Sequence, residues 1–386
     1  MKLYYFTPSD IQVPRVDRQC IIRFCEALAD NGVEVHVVAP KIRLLNVEHK
    51  HDDLYAAYGV KKNFKITLLP SPISQNEKKY FDAFVKLILF SIFSFFLLFR
   101  KNTKNTVVYY KSAMYSIPLF ALRFLSNGKV KLAFEPHRRP QNAFQKYCLK
   151  KVDKIVANSH ALAEDLKTKD GLNPNKIIGT HQGVNLNYIN SIRISREESK
   201  KKLNLPKDKK LAVYTGKVYD GYEEVEYYVE AAKLLPDDVI MLVVGGRADH
   251  VERIRKRNQH IPNLRFISFV PPSKIFYYQF AADALLLYYP PGIDINDYRS
   301  PGKLFDYMAS MSPMIVADYP VLDEILENKK NALIIPKTNP TALAETIVKL
   351  VNDKNLSQKL GEQAFEDVKN YTWDQRAKDI IQFIDE

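Results

Sequence analysis

Short runs of β-branched and aromatic residues alternate with longer stretches in which apolar residues recur every three or four positions, from one end of the chain to the other. The first rhythm suits half-buried or buried strands and the second suits helices with one apolar face. Their regular alternation predicts parallel sheets joined by helical crossovers. Residues 3–7 read as the first strand. Residues 16–30 read as a helix burying Ile21, Ile22, Cys25, Leu28 and Ala29, stopped by Asn31-Gly32. Further strands are expected at 34–39, 66–70, 107–111, 131–135, 154–158 and 176–180. After a polar stretch at 195–210 the rhythm starts again, with strands at 211–215, 239–244, 264–267, 284–288, 313–317 and 332–335. Helices fall near 223–235, 249–257, 273–281, 302–310, 321–327 and 340–351. The pattern predicts an α/β protein of two Rossmann-like, doubly wound parallel-sheet domains facing a central cleft. Residues 1–190 form the first domain, residues 191–368 the second, and residues 369–386 a closing helix that returns toward the first.

Length agrees with two cores, since 386 residues with 46% hydrophobic content exceed one core of ordinary size. The net charge of +13 attracts anions without choosing among nucleic acid, lipid headgroups and phosphorylated small molecules. Three cysteines, Cys20, Cys25 and Cys148, sit in apolar patterns without metal-ligand spacing, which suits a reducing compartment. The chain opens on a short strand rather than a long apolar leader, so a cytoplasmic protein is expected. Residues 87–99 (LILFSIFSFFLLF) are the most apolar run, flanked by Lys86, Arg100 and Lys101. Crossing a bilayer takes about 20 residues, so this run is either a buried core helix or one that dips into the membrane surface.

The sharpest local chemistry lies at Ser300-Pro301-Gly302-Lys303, followed by Asp306. Ser300 suits an N-cap, Pro301 the first helical position, and Gly302 a close backbone approach by a ligand. An exposed helix start offers free N–H donors and a partial positive charge, worth about 0.3 to 2 kcal/mol to an anion, and Lys303 adds a full charge. Asp306 stands on nearly the same face one turn on, where a carboxylate can accept bonds from the two hydroxyls of a ribose. An ordinary capped helix with a Lys303–Asp306 ion pair fits the same residues. Gly216-Lys217 and Gly245-Gly246 each end a predicted strand and allow close approach of backbone to ligand. His137, just after the strand at 131–135 and beside Arg138 and Arg139, should stand at the cleft edge. No dinucleotide fingerprint, phosphate-binding loop or zinc motif occurs, so nicotinamide, ATP-hydrolysis and metal-catalysed readings fall away.

In order along the chain, Gly216-Lys217, Val244-Gly245-Gly246, Ala282-Asp283 before an apolar strand, and Ser300-Pro301-Gly302-Lys303-Leu304-Phe305-Asp306-Tyr307-Met308-Ala309 resemble the family 4 retaining glycosyltransferases of the GT-B fold. Residues 152–159 (VDKIVANS) and 181–185 (HQGVN) of the first domain are similar to that family as well. The resemblance implies a nucleoside diphosphate sugar held by the second domain, an acceptor on the first, and transfer with retention. It assigns Lys217 and Lys303 to the diphosphate, Asp306 to the ribose, the backbone near Val270 to the base, and the loop 290–300 to the transferred sugar. His137 matches the first-domain histidine that lies near the sugar in the family. The family pairs two acids eight positions apart, and here Tyr298 stands eight before Asp306, leaving Asp297 and Asp294 as the nearby acids. Met311 occupies the place where a glycine commonly closes the helix.

The implied protein needs no cofactor or metal. Its partners are the nucleotide-sugar donor and a glycan or lipid-linked acceptor, not nucleic acid; the apolar run 87–99 leaves membrane contact and burial in the core as alternatives. Two rival readings remain at this level: a nucleotide-sugar epimerase on the same fold, and a non-enzymatic basic module binding polyanions or membranes.

Overall fold

Leu3, Tyr5, Val35, Val37, Val107 and Tyr109 alternate along three adjacent strands and point into one buried layer, as the two-residue period of a strand requires. The computed structural model describes all residues except 15, 44–52, 75–91, 93–95, 97–104, 222, 291 and 293. The chain divides into two compact units: residues 1–183 with 373–386, and residues 184–372.

The first unit is built on seven strands, β1 (Lys2–Phe6), β2 (Glu34–Arg43), β3 (Lys65–Ser74), β4 (Thr106–Tyr110), β5 (Val130–Phe134), β6 (Lys154–Ala157) and β7 (Ile177–Gly179). They pair in the order β3-β2-β1-β4-β5-β6-β7, every pair parallel. The helix Val16–Asp30 lays Ile22, Cys25 and Leu28 on this sheet. The final helix, Trp373–Asp385, adds Trp373, Ala377, Ile380 and Ile384 to the same core.

The second unit has six strands, β8 (Lys210–Thr215), β9 (Val239–Val244), β10 (Leu264–Ile267), β11 (Ala284–Leu287), β12 (Met314–Ala317) and β13 (Leu333–Ile335). Their order is β10-β9-β8-β11-β12-β13, again all parallel. Strand order reverses direction between β1 and β4 in one sheet and between β8 and β11 in the other. The carboxyl ends at such reversals are where open α/β sheets leave room for ligands.

Two local expectations are corrected. Residues 321–327 do not form an α-helix but a short 3₁₀ segment, Pro320–Glu324. Asn331 explains the early stop: its side chain takes the backbone N–H of Glu327 and the carbonyl of Ile325, groups that a continuing helix would have paired. Ser300 is not the N-cap of the next helix, which spans Gly302–Ala309 with Pro301, a residue with no side-chain acceptor, in the cap position. Of the apolar run 87–99, only Ile92 and Phe96 fall within the described residues, both helical and exposed. No helix of the described residues is long and apolar enough to cross a membrane.

Candidate functional site

In the second unit, three strand ends and one helix start meet around a single ammonium group. Strand β8 ends in Thr215, and Gly216 follows so closely against Lys303 that a Cβ on Gly216 would lie 2.6 Å from Lys303 Nζ. Strand β9 ends in Val244, and Gly245 is needed next: its φ is +130°, and a Cβ there would fall 1.8 Å from the Gly216 carbonyl oxygen. Gly246 likewise leaves no room for a side chain against the carbonyl of Val218, while its own carbonyl accepts from the N–H of Phe269. The glycines therefore let two loops pack backbone to backbone beside the lysine.

Lys303, in the first turn of the Gly302–Ala309 helix, holds its ammonium 3.9 Å from the centroid of the Tyr214 ring and 5.7 Å from that of Tyr289. The Arg299 guanidinium lies 4.1 Å from the Tyr289 centroid. Burial, opposed by Glu224 and assisted by Arg299 and Lys217, brings the Lys303 ammonium down from its ordinary 10.5 to about 8. Glu224, from the helix Glu223–Ala232, is the counter-charge. Burial raises its carboxyl against the pull of Lys303 and Arg299, and its Oε1 is buried without a hydrogen-bond partner. Below these groups, Tyr307 accepts the N–H of Thr215 at 2.9 Å and locks the helix to the end of β8. The result is one desolvated ammonium, with Arg299 and Lys217 near it, at a helix start whose cap position is a proline, an arrangement that favours a compact anion over water.

In the first unit the carboxyl ends of β4 and β5 converge on Glu135, which is 1% exposed. Its Oε1 accepts from Lys111 Nζ at 2.8 Å and pairs with His137 Nε2 at 2.9 Å. Its Oε2 accepts from the Tyr109 hydroxyl and faces Arg376 of the final helix at 3.3 Å. Arg376 also donates to the carbonyls of Thr180 and His181. Burial alone would raise the Glu135 carboxyl, but Lys111, Arg376 and His137 outweigh it and hold it well below the usual carboxylate range. Burial and the Lys111 charge depress the His137 imidazole, against the opposing pull of Glu135.

Comparison with known proteins bears on both units. The model described as Glycosyltransferase Family 4 matches residues 19–188, and the one described as Glycosyl transferases group 1 matches residues 195–367. This chain belongs to glycosyltransferase family 4. An uncharacterized glycosyltransferase of Methanocaldococcus jannaschii is 26% identical over 243 residues, covering 61% of this chain and 58% of the relative. The chain matches only about half to three-fifths of the length of its curated relatives. Among solved structures, a sucrose-phosphate synthase from Thermosynechococcus elongatus superposes with a TM-score of 0.76 at 17% identity, covering 99% of this chain and 98% of that one. HepE of Anabaena, solved with UDP and glucose, superposes with a TM-score of 0.74 at 12% identity, covering 100% and 99%. The fold is thus the GT-B type, two parallel-sheet Rossmann-like domains.

Within this family 4 chain, Gly216, Gly246, Lys217, Pro301, Gly302 and Lys303 fall in one neighbourhood of the second unit. Lys217 is exposed, yet close enough to depress Lys303. Ser300 is buried beside them, and Asp306 is half-buried one turn along the helix. Lys303 places its ammonium over the Tyr214 ring, and Glu224 is the acid that opposes its desolvation. Val270 is half-buried next to Phe269, whose N–H reaches Gly246. Asp297 is exposed and Tyr298 half-buried after the short 3₁₀ segment Asp294–Asp297; the side chain of Asp294 lies outside the described residues. His137 stands in the other unit, and Arg139 beside it turns to Asp170.

Sequence reading missed Arg299, Glu224 and Glu135. Arg299 and Glu135 were adjacent to quoted motifs but had no pattern of their own. Glu224 is one of three acids in the first turn of its helix, with Glu223 and Glu226, and only the tertiary placement of Lys303 distinguishes it from its neighbours.

Proposed function

We propose that this protein transfers a sugar from a nucleoside diphosphate sugar to a glycan or lipid-linked acceptor, with retention of configuration and without a metal ion. The observation that carries the reading is the buried Lys303 ammonium in the first turn of a helix, with Lys217 and Arg299 beside it. Negative charge grows on the leaving diphosphate as the glycosidic bond breaks. Fixed cations and first-turn amides are already oriented to receive that charge, and in a desolvated setting they need no reorganisation. Glu224 balances Lys303 until the diphosphate arrives. Asp306 takes the ribose hydroxyls, backbone near Val270 meets the base, and the segment with Asp294, Asp297 and Tyr298 meets the sugar. The UDP held by HepE makes a uridine nucleotide the first donor to try. His137 in the first unit serves the carbohydrate. The apolar run 87–99 touches the inner face of a membrane when the acceptor is lipid-linked.

Thermal unfolding with a panel of nucleoside diphosphates tests the reading. A ligand at 100 times its dissociation constant should stabilise by about 2.7 kcal/mol. Lys303→Ala should weaken binding of every diphosphate, and Asp306→Asn should weaken nucleoside diphosphates while sparing pyrophosphate. Undiminished affinity in both variants would overturn the assignment. Product analysis with and without an acceptor separates transfer from epimerisation.

A further inference from the structure

Among the described residues Glu135 is the most enclosed carboxylate of the first unit, and its four neighbours come from three separate parts of the chain. Lys111 follows β4, Tyr109 lies within β4, Arg376 comes from the final helix, and His137 follows β5 two residues beyond Glu135 itself. Two cations hold the carboxylate in its ionised form, and an ionised carboxylate only accepts hydrogen bonds. The 2.9 Å contact with His137 therefore requires a proton on Nε2. The ring is depressed by burial and by Lys111, so it carries that one proton, and Nδ1 keeps its lone pair. Nδ1 has no partner among the described residues, and the side chain is 38% exposed.

We propose that Glu135 is the positioning residue of His137: it fixes the imidazole as the Nε2–H tautomer, so that the ring meets a carbohydrate hydroxyl as an acceptor through Nδ1. The alternative tautomer would present a donor instead and would leave the carboxylate facing a bare nitrogen lone pair. Histidine chemistry depends on which nitrogen carries the proton, and a fixed second partner is what decides it. Arg376 extends the arrangement to the final helix. By bridging Glu135 and the carbonyls of Thr180 and His181, it anchors the carboxylate through Oε2, the oxygen that the imidazole does not use.

The inference rests on the functional reading above only for what His137 touches; the tautomer is a property of the free protein. Long-range proton–nitrogen NMR of the full chain with ¹⁵N-histidine, at pH 7.5, reads it directly, with the His137 signal assigned by its loss in His137→Asn. The Nε2–H pattern is expected, and an Nδ1–H pattern or an imidazolium would overturn the proposal. In Glu135→Gln, which keeps shape and loses charge, the pattern should become mixed. kcat/KM for transfer should fall about 10- to 100-fold, and Glu135→Asp should recover part of that loss. The dissociation constant for nucleoside diphosphate should stay as in the parent, because the binding groups lie in the other unit. An unchanged tautomer in Glu135→Gln, with activity lost only in proportion to unfolded protein, would reduce Glu135 to a structural ion pair and overturn the proposal. If the unsubstituted protein binds no nucleoside diphosphate, the functional reading fails, and the NMR result still decides the tautomer.

Discussion

The ammonium of Lys303 sits 3.9 Å from the centre of the Tyr214 ring, at the carboxyl end of the central strand β8. Cation–π attraction of about 1 to 2 kcal/mol offsets part of the desolvation, and Glu224 offsets a further part electrostatically. Because burial dominates, with Glu224 opposing it and Arg299 and Lys217 adding to it, the group titrates near 8 rather than at 10.5.

That shift predicts opposite pH trends for stability and for binding. The unfolded chain holds this proton up to 10.5 and the folded one only to about 8. The unfolded state therefore binds more protons between those values, and this group makes folding more favourable as pH rises across them. Diphosphate affinity should fall over the same rise, since the cation is lost. Urea titrations and diphosphate binding at pH 7, 8, 9 and 10, each compared with Lys303→Met, isolate the contribution. Parallel trends for the parent and Lys303→Met would refute it.

Gly245→Ala should damage the site more than its small size suggests. Its φ of +130° is hostile to any side chain, and the new Cβ would overlap the Gly216 carbonyl at 1.8 Å. Relief requires moving the β8 loop, which also carries Lys217 and borders Lys303. We expect a loss of about 1–3 kcal/mol in unfolding free energy, together with weaker diphosphate binding. Gly32→Ala shares a positive φ but meets nothing within 4 Å. It should cost stability without affecting binding, and equal binding losses in the two variants would contradict the geometry.

How much of this was readable beforehand follows a physical division. Strands such as Val239–Val244 and helices such as Val16–Asp30 were legible because their periodicity is local and their core faces are continuous. Gly216, Gly245 and Gly246 stood out because close backbone approach leaves a compositional mark. Glu135 and Glu224 did not, since a buried carboxylate is defined by cations brought from distant segments, such as Arg376 lying more than two hundred residues away from Glu135. Ser300 was misread as a cap because its sequence context suits one, whereas the helix begins after Pro301. Residues 321–327 looked helical by pattern, and a single side chain, Asn331, ended that helix from outside the segment.

Met311 stands where a glycine commonly closes a helix, and its φ of +63° places it in the left-handed region. A non-glycine residue pays about 1 kcal/mol there. The side chain is 39% exposed, so its removal sacrifices limited burial. Met311→Gly should leave stability unchanged or raise it by up to about 1 kcal/mol, read by urea unfolding. A loss above 1 kcal/mol would mean that the thioether packs in a way its exposure does not suggest.

Arg376→Met tests whether the final helix is held to the first unit by charge as well as by apolar packing. Trp373, Ala377, Ile380 and Ile384 remain buried in the variant, so the apolar contribution of the helix is preserved. What is lost is the partner of a carboxylate that is 1% exposed, together with donors to the carbonyls of Thr180 and His181. Glu135 keeps Lys111 but loses one of its two cations, and the buried carbonyls of Thr180 and His181 lose a charged donor, so about 1–3 kcal/mol of stability should go with it. The pH dependence fixes the cause. Lys111, Arg376 and His137, outweighing burial, hold the folded carboxyl well below its ordinary value, so its contribution is present above the unfolded pKa and fades as pH falls through the folded one. Arg376→Met should therefore unfold at lower urea than the parent at pH 7, and the gap should narrow as both are taken to acid. A gap that stays constant down to acid would assign the loss to packing of the arginine stem and not to its charge.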